Sequence, residues 1–355
     1  MLSYPFDDFG KPLAQVLRET PQPTGSEVVV RIGSCGLCHS DVHLHEGYFD
    51  LGNGQKLDLS RGIAPPRVLG HEIAGTVVAV GPDAGGAAVG DRRVVFPWIG
   101  CTVCGPCKEG REELCVAPRA LGINRDGGFA DHVLVPHPRY LFAYDPLPEA
   151  EACTYACSGL TAWSALRKCA PPASGDALLI IGAGGVGLSA VMGARLAGAE
   201  PIIVADVDEA KLERARILGA TMLVLAGRDD TVETVLDELP GGVDWAIEAV
   251  GRAETLQQAV ACLRPGGTAV ALGIGRVGAT FQVSINELVQ QQKRVVGSLY
   301  GSANPPLDLP RLWRLYEAGR LPLDSLLGAE YPLASVNDAY DALVSGAVGR
   351  AVLRP

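Results

Sequence analysis

The sequence predicts an α/β protein of two domains, one rich in β-strands and one built on a doubly wound parallel sheet. Three observations lead to this prediction. The chain has 355 residues, which is long for a single hydrophobic core. Its first 150 residues show short strand patterns broken by Gly and Pro. From Asp176 onward, apolar strand patterns alternate with helical ones, and that alternation is typical of a parallel sheet covered by helices.

The first domain is predicted from four strand patterns with long connections between them. They read EVVVRIG, EIAGTVVAVG, DRRVVFPW and ADHVLVP. Each is short, rich in Val or Ile, and bounded by Gly, Pro or Asp. We therefore expect an all-β unit whose long loops carry functional side chains.

The second domain is predicted from five strand patterns separated by helical ones. The strands read ALLIIG, PIIVAD, TMLVLA, VDWAIEAV and GTAVALG. After about residue 298 the NPPLDLP segment breaks the alternation, and the strand-like AVLRP at the end of the tail is expected to rejoin the first domain. The predicted domains are thus 1–158 together with 298–355, and 159–297.

Composition excludes several classes of protein. A net charge of -10 argues against a nucleic-acid partner, which would favour a basic surface. No apolar run approaches the roughly 20 residues that span a bilayer, and the first residues do not resemble a secretory signal. We expect a cytoplasmic protein. Its ten cysteines then indicate metal binding or catalysis rather than disulfides.

A glycine-rich turn follows the first strand of the second domain. Gly182, Gly184 and Gly187 form a G-x-G-x-x-G pattern between a strand and a helix. Such glycines allow a tight turn, close approach of the backbone to a pyrophosphate, and close packing of helix on strand. Asp206 ends the next strand, where a carboxylate binds ribose hydroxyls and repels a 2′-phosphate. The pattern predicts NAD rather than NADP, with Lys211 as a further ribose contact.

A second copy of the glycine pattern, GIGRVG, occupies Gly273–Gly278. The strand-like run ATFQVSI follows it, where a dinucleotide site requires a helix. We interpret this copy as a turn.

Four cysteines with short spacings predict a metal site in the first domain. They are Cys101, Cys104, Cys107 and Cys115. Four thiolates suit a closed tetrahedral zinc site with a structural role. An iron–sulfur cluster also takes four thiolates, but the typical Pro after the last cysteine is missing.

A second group of metal-binding side chains is spread along the chain. It contains Cys38 in GSCGLCHSDVH, His71 and Glu72 in VLGHEIAG, and Cys157 in ACSGLTAW. Two thiolates and one imidazole would leave a fourth position open, as a catalytic zinc site requires. No spacing rule joins residues so far apart, so from local sequence alone the first stretch could equally be a redox pair or a polar loop.

Five motifs in order resemble the zinc-dependent medium-chain alcohol dehydrogenases over nearly the whole chain. They are GLCHSDVH, GHEIAG, CTVCGPCKEGREELC, CSGLTAW and GAGGVG, and the match looks closest to the bacterial, usually tetrameric branch. The resemblance implies a GroES-like catalytic domain, a Rossmann NAD domain, two zinc ions per chain, and reversible oxidation of a primary or secondary alcohol by NAD. A homotetramer is expected, with a dimer as the alternative.

The resemblance also implies roles for individual residues. Cys38, His71 and Cys157 would bind the catalytic zinc, with Glu72 as an occasional ligand or outer carboxylate, and the four-cysteine loop would bind the structural zinc. Asp41 would orient His71. Ser40 and His43 would carry the alcohol proton to solvent, His39 and Arg350 would lie near the cofactor pyrophosphate, and Tyr48, Phe49 and Trp98 would line the substrate pocket.

The substrate stays open among the family's alcohols. A cysteine at the third ligand position, Cys157, favours monohydric alcohols over the polyols or sugars of the main alternative. A formaldehyde-type enzyme, a zinc-free reductase and a non-catalytic NAD-binding protein are further alternatives; the complete ligand set disfavours the last two. An extra segment at Asp50–Gly62 weakens any inference about substrate, because inserted loops often set specificity.

Overall fold

The computed structural model describes residues 1–50, 56–58, 63–168, 171–275, 278–321 and 326–355. They form two compact units. The first contains the described residues of Met1–Cys157, Pro305–Gly319 and Leu323–Pro355, and the second contains those of Ser158–Asn304 and Arg320–Pro322.

The described strands, in chain order, are β1 (Leu2–Ser3), β2 (Pro5–Phe6), β3 (Val16–Leu17), β4 (Val28–Gly36), β5 (Tyr48–Asp50), β6 (Lys56–Asp58), β7 (Arg67–Val68), β8 (Glu72–Val80), β9 (Arg92–Val95), β10 (His132–Val135), β11 (Leu141–Ala143), β12 (Leu178–Ile181), β13 (Ile202–Asp206), β14 (Met222–Leu225), β15 (Val243–Glu248), β16 (Leu263–Ala271), β17 (Arg294–Gly297), β18 (Leu327–Pro332) and β19 (Arg350–Arg354).

The described α-helices are α1 (His39–Glu46), α2 (Gly105–Lys108), α3 (Glu149–Thr154), α4 (Ser158–Lys168), α5 (Gly185–Ala197), α6 (Glu209–Leu218), α7 (Thr231–Glu238), α8 (Ala253–Ala261), α9 (Ile285–Gln291), α10 (Pro305–Glu317) and α11 (Val336–Val344). None of these combines the length and the apolar composition needed to cross a bilayer.

The first unit is organised around a seven-stranded sheet. Its order is β11-β9-β8-β4-β19-β18, and β10 also pairs with β4. All pairings are antiparallel except that of β18 with β19. The Val28, Val29 and Val30 side chains of β4 are fully buried, which is why this valine-rich run forms the centre of the sheet. The final strand AVLR pairs with β4, as the tail was expected to do.

The pairing of β4 with β8 brings two distant parts of the chain together. Gly36 at the end of β4 lies opposite Glu72 at the start of β8. The loop after β4 therefore begins beside the loop before β8. This register places Cys38 next to His71, which sequence spacing could not do.

The second unit is a parallel six-stranded sheet with the order β14-β13-β12-β15-β16-β17. Its central strand LLII is buried on both faces, as expected for parallel strands covered by helices. The order reverses between β12 and β15, and a crevice forms at the carboxyl ends of strands at such a switch point. The prediction of a doubly wound parallel sheet is confirmed.

Two local predictions differ from the structure. ATFQVSI forms no strand; its Phe281 and Val283 instead pack against the buried core, and β17, which was not predicted, takes the sheet edge beside β16. The NPPLDLP break is the start of α10, because prolines are tolerated in a first helical turn and Leu309, Leu312 and Trp313 bury one face. The predicted insertion at 50–62 lies largely outside the described residues.

Candidate active site

The loop after β4 presents Cys38 at the start of α1. Cys38 is the residue before the helix, and its backbone N–H donates to the Oδ2 atom of Asp41 at 3.0 Å. This bond satisfies one of the helix's unpaired N–H groups. The Cys38 side chain is thereby held at the end of the central strand.

Asp41 also fixes the orientation of His71. Its Oδ1 atom accepts from Nδ1 of His71 at 2.9 Å and from the backbone N–H of Gly70 at 3.1 Å, and both side chains are buried. With Nδ1 donating, the Nε2 lone pair of His71 is available to a metal. The predicted contact between Asp41 and His71 is confirmed.

Four metal-binding side chains come together in the first unit. They are Cys38, His71, Glu72 and Cys157, and one ligand atom from each lies within 4.8 Å of the others. A hydrogen bond from Cys157 lowers the pKa of Cys38, and the Arg350 charge lowers it further. This favours the thiolate, which is the form that binds metal.

Glu72 supports the assignment of a cation to this cluster. Its side chain is fully buried, and neither carboxylate oxygen has a hydrogen-bond partner. Burial raises its pKa to about 7, while the Arg350 charge opposes this rise. A buried carboxylate is destabilising unless positive charge lies near it, and Arg350 supplies one such charge. The two thiols and the imidazole beside the carboxylate complete a donor set that fits a zinc ion.

Arg350 lies beside this cluster. Its Nε atom is 3.3 Å from Oε2 of Glu72, and its Nη1 atom donates to the carbonyl of Leu37 at 2.9 Å. The family resemblance predicted that Arg350 lies near the cofactor pyrophosphate. The contacts of its guanidinium are with the Cys38 loop and Glu72.

The four predicted loop cysteines form a second cluster. Sγ atoms of Cys101, Cys104, Cys107 and Cys115 lie within 4.8 Å of one another. The N–H of Cys101 points at Cys115 Sγ at 3.1 Å, and backbone N–H groups lower the pKa of Cys104 to about 6. Four sulfurs with amide support suit a closed tetrahedral zinc site that holds the loop.

In the second unit, the glycine turn lies between β12 and α5. A Cβ on Gly187 would lie 1.8 Å from the Gly182 carbonyl oxygen, whereas one on Gly184 would meet nothing within 4 Å. Gly187 thus allows the close packing of helix on strand, and Gly184 leaves space above the turn. The predicted close packing of helix on strand is thus present at Gly187.

Asp206 contacts the same turn from the end of β13. Its Oδ2 atom accepts from the Ala183 N–H at 2.6 Å, and its Oδ1 atom accepts from the Asp208 N–H at 3.0 Å. Asp208, not Asp206, caps α6. Lys211 is half-buried in the first turn of that helix, so the two predicted ribose contacts lie at the end of β13 and at the start of α6.

The remaining predicted residues take up different positions. The Ser40 hydroxyl is 3.5 Å from His71 Nε2; His39 begins α1, and His43 is half-buried on it. Of the predicted pocket residues, Tyr48 is half-buried on β5 and Trp98 donates to the Glu112 carbonyl of the four-cysteine loop at 2.8 Å. The Phe49 side chain lies outside the described residues.

Tyr340 is a contributor that sequence reasoning missed. It comes from α11, and its buried hydroxyl donates to the backbone carbonyl of Asp41 at 3.2 Å. No motif surrounds it. Only the apolar spacing of α11 could have indicated that this face packs inward.

Comparisons with known proteins agree with the fold and the two cysteine-containing clusters. Residues 24–145 match the alcohol dehydrogenase GroES-like domain, and residues 185–318 match the zinc-binding dehydrogenase domain. The chain is 36% identical to the NAD-dependent alcohol dehydrogenase of Sulfurisphaera tokodaii over 98% of both chains. It is 30% identical to the L-threonine 3-dehydrogenase of Pyrococcus abyssi, covering 97% of this chain and 95% of that one.

Solved structures give the same result. Benzyl alcohol dehydrogenase from Acinetobacter calcoaceticus superimposes with a TM-score of 0.89 at 26% identity, covering 99% of this chain and 98% of that chain. Alcohol dehydrogenase from Thermus sp. ATN1 also gives 0.89, at 28% identity and with 100% and 99% covered. The chain belongs to the zinc-dependent medium-chain alcohol dehydrogenase family.

Proposed function

We propose that this protein oxidises a primary or secondary alcohol to the aldehyde or ketone, reversibly, with hydride transfer to NAD. The observation that carries the proposal is the cluster of Cys38, His71, Glu72 and Cys157. The buried carboxylate of Asp41, next to this cluster, orients the His71 imidazole. Two thiols and one imidazole leave a coordination position for a substrate oxygen.

The metal-binding residues have distinct tasks in this proposal. Cys38, His71 and Cys157 would hold zinc, whose Lewis acidity lowers the pKa of an alcohol. Glu72 is within the same 4.8 Å cluster and would offer a carboxylate oxygen when no substrate is present. Burial raises the Glu72 pKa to about 7, and the Arg350 charge opposes that rise, which favours the ionised form that binds a metal.

Ser40 and His43 are proposed to move the alcohol proton. The Ser40 hydroxyl lies 3.5 Å from the His71 Nε2 atom, on the side of the imidazole that would face the metal and the alcohol. Burial lowers the pKa of His43 below its usual value of about 6.5. His43 is therefore neutral near pH 7 and able to accept a proton.

The second unit would bind the dinucleotide. The turn at Gly182, Gly184 and Gly187 and the N-terminus of α5 suit a pyrophosphate, and Asp206 and Lys211 suit the ribose. NAD supplies the hydride acceptor. The Asp206 carboxylate would repel a 2′-phosphate, which supports NAD over NADP. His39 stays a proposed pyrophosphate contact, and the four-cysteine loop a proposed structural zinc site.

We propose a monohydric alcohol with an apolar or aromatic side chain as the substrate. Cys157 at the third ligand position and the aromatic Tyr48, Phe49 and Trp98 support this choice. Relatives in this family include a benzyl alcohol dehydrogenase and an L-threonine 3-dehydrogenase, so membership of the family does not by itself decide the substrate.

The test is NADH formation by zinc-loaded protein with primary, secondary and aromatic alcohols, polyols, L-threonine, and formaldehyde with added thiol. Rates that rise with chain length or an aromatic ring support the proposal, and NADP should support turnover poorly. Turnover confined to polyols, to L-threonine or to the thiol adduct would contradict the proposed substrate.

We also propose that the enzyme is a cytoplasmic homotetramer, with a dimer as the alternative. Its thiolate sites require reducing conditions, which the cytosol maintains. In the described sheet the edge strand β17 pairs only with β16. Val295 on this strand is exposed, as are Ile285 and Val289 on α9. An apolar edge of this kind favours pairing with a second copy. Light scattering on protein eluting from a size-exclusion column measures the mass of the assembly. A monomeric mass would contradict the proposed tetramer.

A further inference from the structure

The first unit contains a cavity that belongs neither to the metal clusters nor to the dinucleotide turn. Its volume is about 460 Å³, and Arg18, Arg67, Arg119, Arg125 and Asp126 are among its lining residues. None of the predicted zinc ligands or turn glycines lines it.

The charge of the cavity is opposite to that of the chain. Four arginines line it together with two carboxylates, those of Asp126 and Glu19, so these six side chains carry an excess of two positive charges (four minus two). The whole chain carries a net charge of -10. A local reversal of this kind concentrates anions at the cavity.

One carboxylate serves two of these arginines. Oδ2 of Asp126 lies 3.2 Å from Nη1 of Arg18, and Oδ1 lies 3.0 Å from Nη1 of Arg67. Oδ1 also accepts from the Val68 N–H at 3.1 Å. Asp126 therefore has little capacity left for the other two arginines.

Arg119 and Arg125 have no carboxylate partner within 4.0 Å among the residues that the structure describes. Burial lowers the pKa of Arg125, and the Arg119 charge lowers it further. The Nε atoms of Arg125 and Arg67 are buried without a hydrogen-bond partner. These guanidinium groups are therefore poorly compensated, and a negative charge in the cavity would stabilise them.

We propose that this cavity binds a small, multiply charged anion, a phosphate ester or a polycarboxylate. Guanidinium groups hold both by paired N–H donors in a fixed fork. Such an anion would accept from the outer N–H groups of the arginines that line the cavity and neutralise the repulsion between Arg119 and Arg125. Either source offers the same chemistry of several anionic oxygens on one small molecule.

The test is calorimetric titration of inorganic phosphate and of tricarballylate into zinc-loaded, full-length protein at constant ionic strength. Saturating NADH occupies the dinucleotide turn. We expect one anion per chain, and about tenfold weaker binding by Arg125→Gln and by Arg119→Gln. Arg216→Gln is the matched control; it removes one exposed arginine, paired with Glu213, from the second unit and should leave the affinity unchanged.

The two arginine variants also separate binding from folding. Neither guanidinium has an ion pair to lose, so alcohol turnover in anion-free buffer should stay at the wild-type rate. If Arg125→Gln does not fold, the exposed Arg119 carries the test. Binding of phosphate alone assigns a phosphate ester, and binding of tricarballylate alone assigns a polycarboxylate.

Two results would overturn the proposal. One is wild-type affinity in both variants, since the anion would then bind elsewhere. The other is failure of both anions to bind to the wild-type protein. If the variants then also differ from it in subunit number, the cavity is a contact between copies of this chain.

Discussion

Asp41 acts at the scale of single atoms, because its two oxygens hold two different parts of the metal cluster. Oδ1 binds His71, and Oδ2 binds the backbone of Cys38. The Tyr340 hydroxyl holds the Asp41 backbone in turn. One buried carboxylate thus sets the direction of two proposed ligands.

Asp41→Asn should weaken zinc binding by about 10–100-fold, the range for loss of a carboxylate behind a metal-binding histidine. The amide can still accept a hydrogen bond but carries no charge to strengthen the imidazole as a ligand. Competition with a chelator measures the affinity. Asp131→Asn is the matched control. The Asp131 carboxylate also contacts a histidine, His132, with 2.8 Å between Oδ1 and Nδ1, but neither residue belongs to the metal cluster. Equal affinities in both variants would contradict the role of Asp41.

His43→Ala should slow alcohol oxidation by about tenfold or more near neutral pH. The pKa of His43 is lowered, so its imidazole is unprotonated at neutral pH and can act as a base there. It becomes protonated, and stops acting as a base, only in more acidic solution. The defect should shrink at alkaline pH, where hydroxide accepts the proton, and added imidazole should restore the rate.

His45→Ala provides the control for this experiment. His45 lies on the same helix, and its Nε2 atom contacts the Lys11 carbonyl at 2.6 Å. It should show the wild-type pH profile. An unchanged profile for His43→Ala, or no response to imidazole, would remove His43 from the proton path.

Single residues were predictable where a motif carries them. The glycines and the four-cysteine loop are local patterns, and their chemistry follows from spacing alone. The set of Cys38, His71 and Cys157 was available only through resemblance, because strand register rather than sequence distance brings it together. The Arg350 contact with Glu72 and the Tyr340 contact with Asp41 have no local signal.

At the scale of elements, the join between β12 and α5 depends on two glycines for different reasons. Gly187→Ala would place a Cβ against the Gly182 carbonyl oxygen, so we expect it to destabilise the protein by about 1–3 kcal/mol. Gly184→Ala meets open space and should fold normally, yet bind NAD at least about tenfold more weakly, because the methyl group fills the space proposed for the pyrophosphate.

Urea unfolding and NADH fluorescence titration measure the two effects separately, and each variant is the control for the other. Normal NAD affinity in a folded Gly184→Ala protein would contradict the assignment of this turn to the dinucleotide.

Elements were predictable where hydrophobic periodicity is strong. The strands of the parallel sheet are buried runs such as LLII, and all five that were predicted are present. The short β17, RVVG, is mostly exposed, and its two adjacent valines are too few to show the periodicity of a strand. The strand-like run ATFQVSI has the signal but no partner strand, since packing of Phe281 and Val283 on the core explains its apolar residues equally well.

At the scale of the whole molecule, the fold is shared by enzymes with different substrates. Relatives that cover nearly this whole chain include alcohol dehydrogenases and an L-threonine 3-dehydrogenase. Fold and metal ligands set the reaction class, whereas pocket walls and loops set the substrate. That is why the reaction could be predicted from sequence and the particular alcohol could not.

The proposed enzyme contains two zinc sites with separable duties. The Cys38, His71 and Cys157 site is proposed for chemistry, and the four-cysteine loop for stability. Replacing a ligand of the first site should therefore abolish activity and leave stability largely intact. Replacing a ligand of the second site should lower stability.

The most direct test of the central claim is the zinc content of Cys157→Ala, measured together with its alcohol turnover and thermal stability. We predict a fall from two zinc ions per chain to one, loss of turnover, and retained folding and NADH binding. Cys107→Ala, the matched control, should also lose one ion but unfold at lower temperature. Two retained ions with wild-type turnover in Cys157→Ala would contradict the proposed active site.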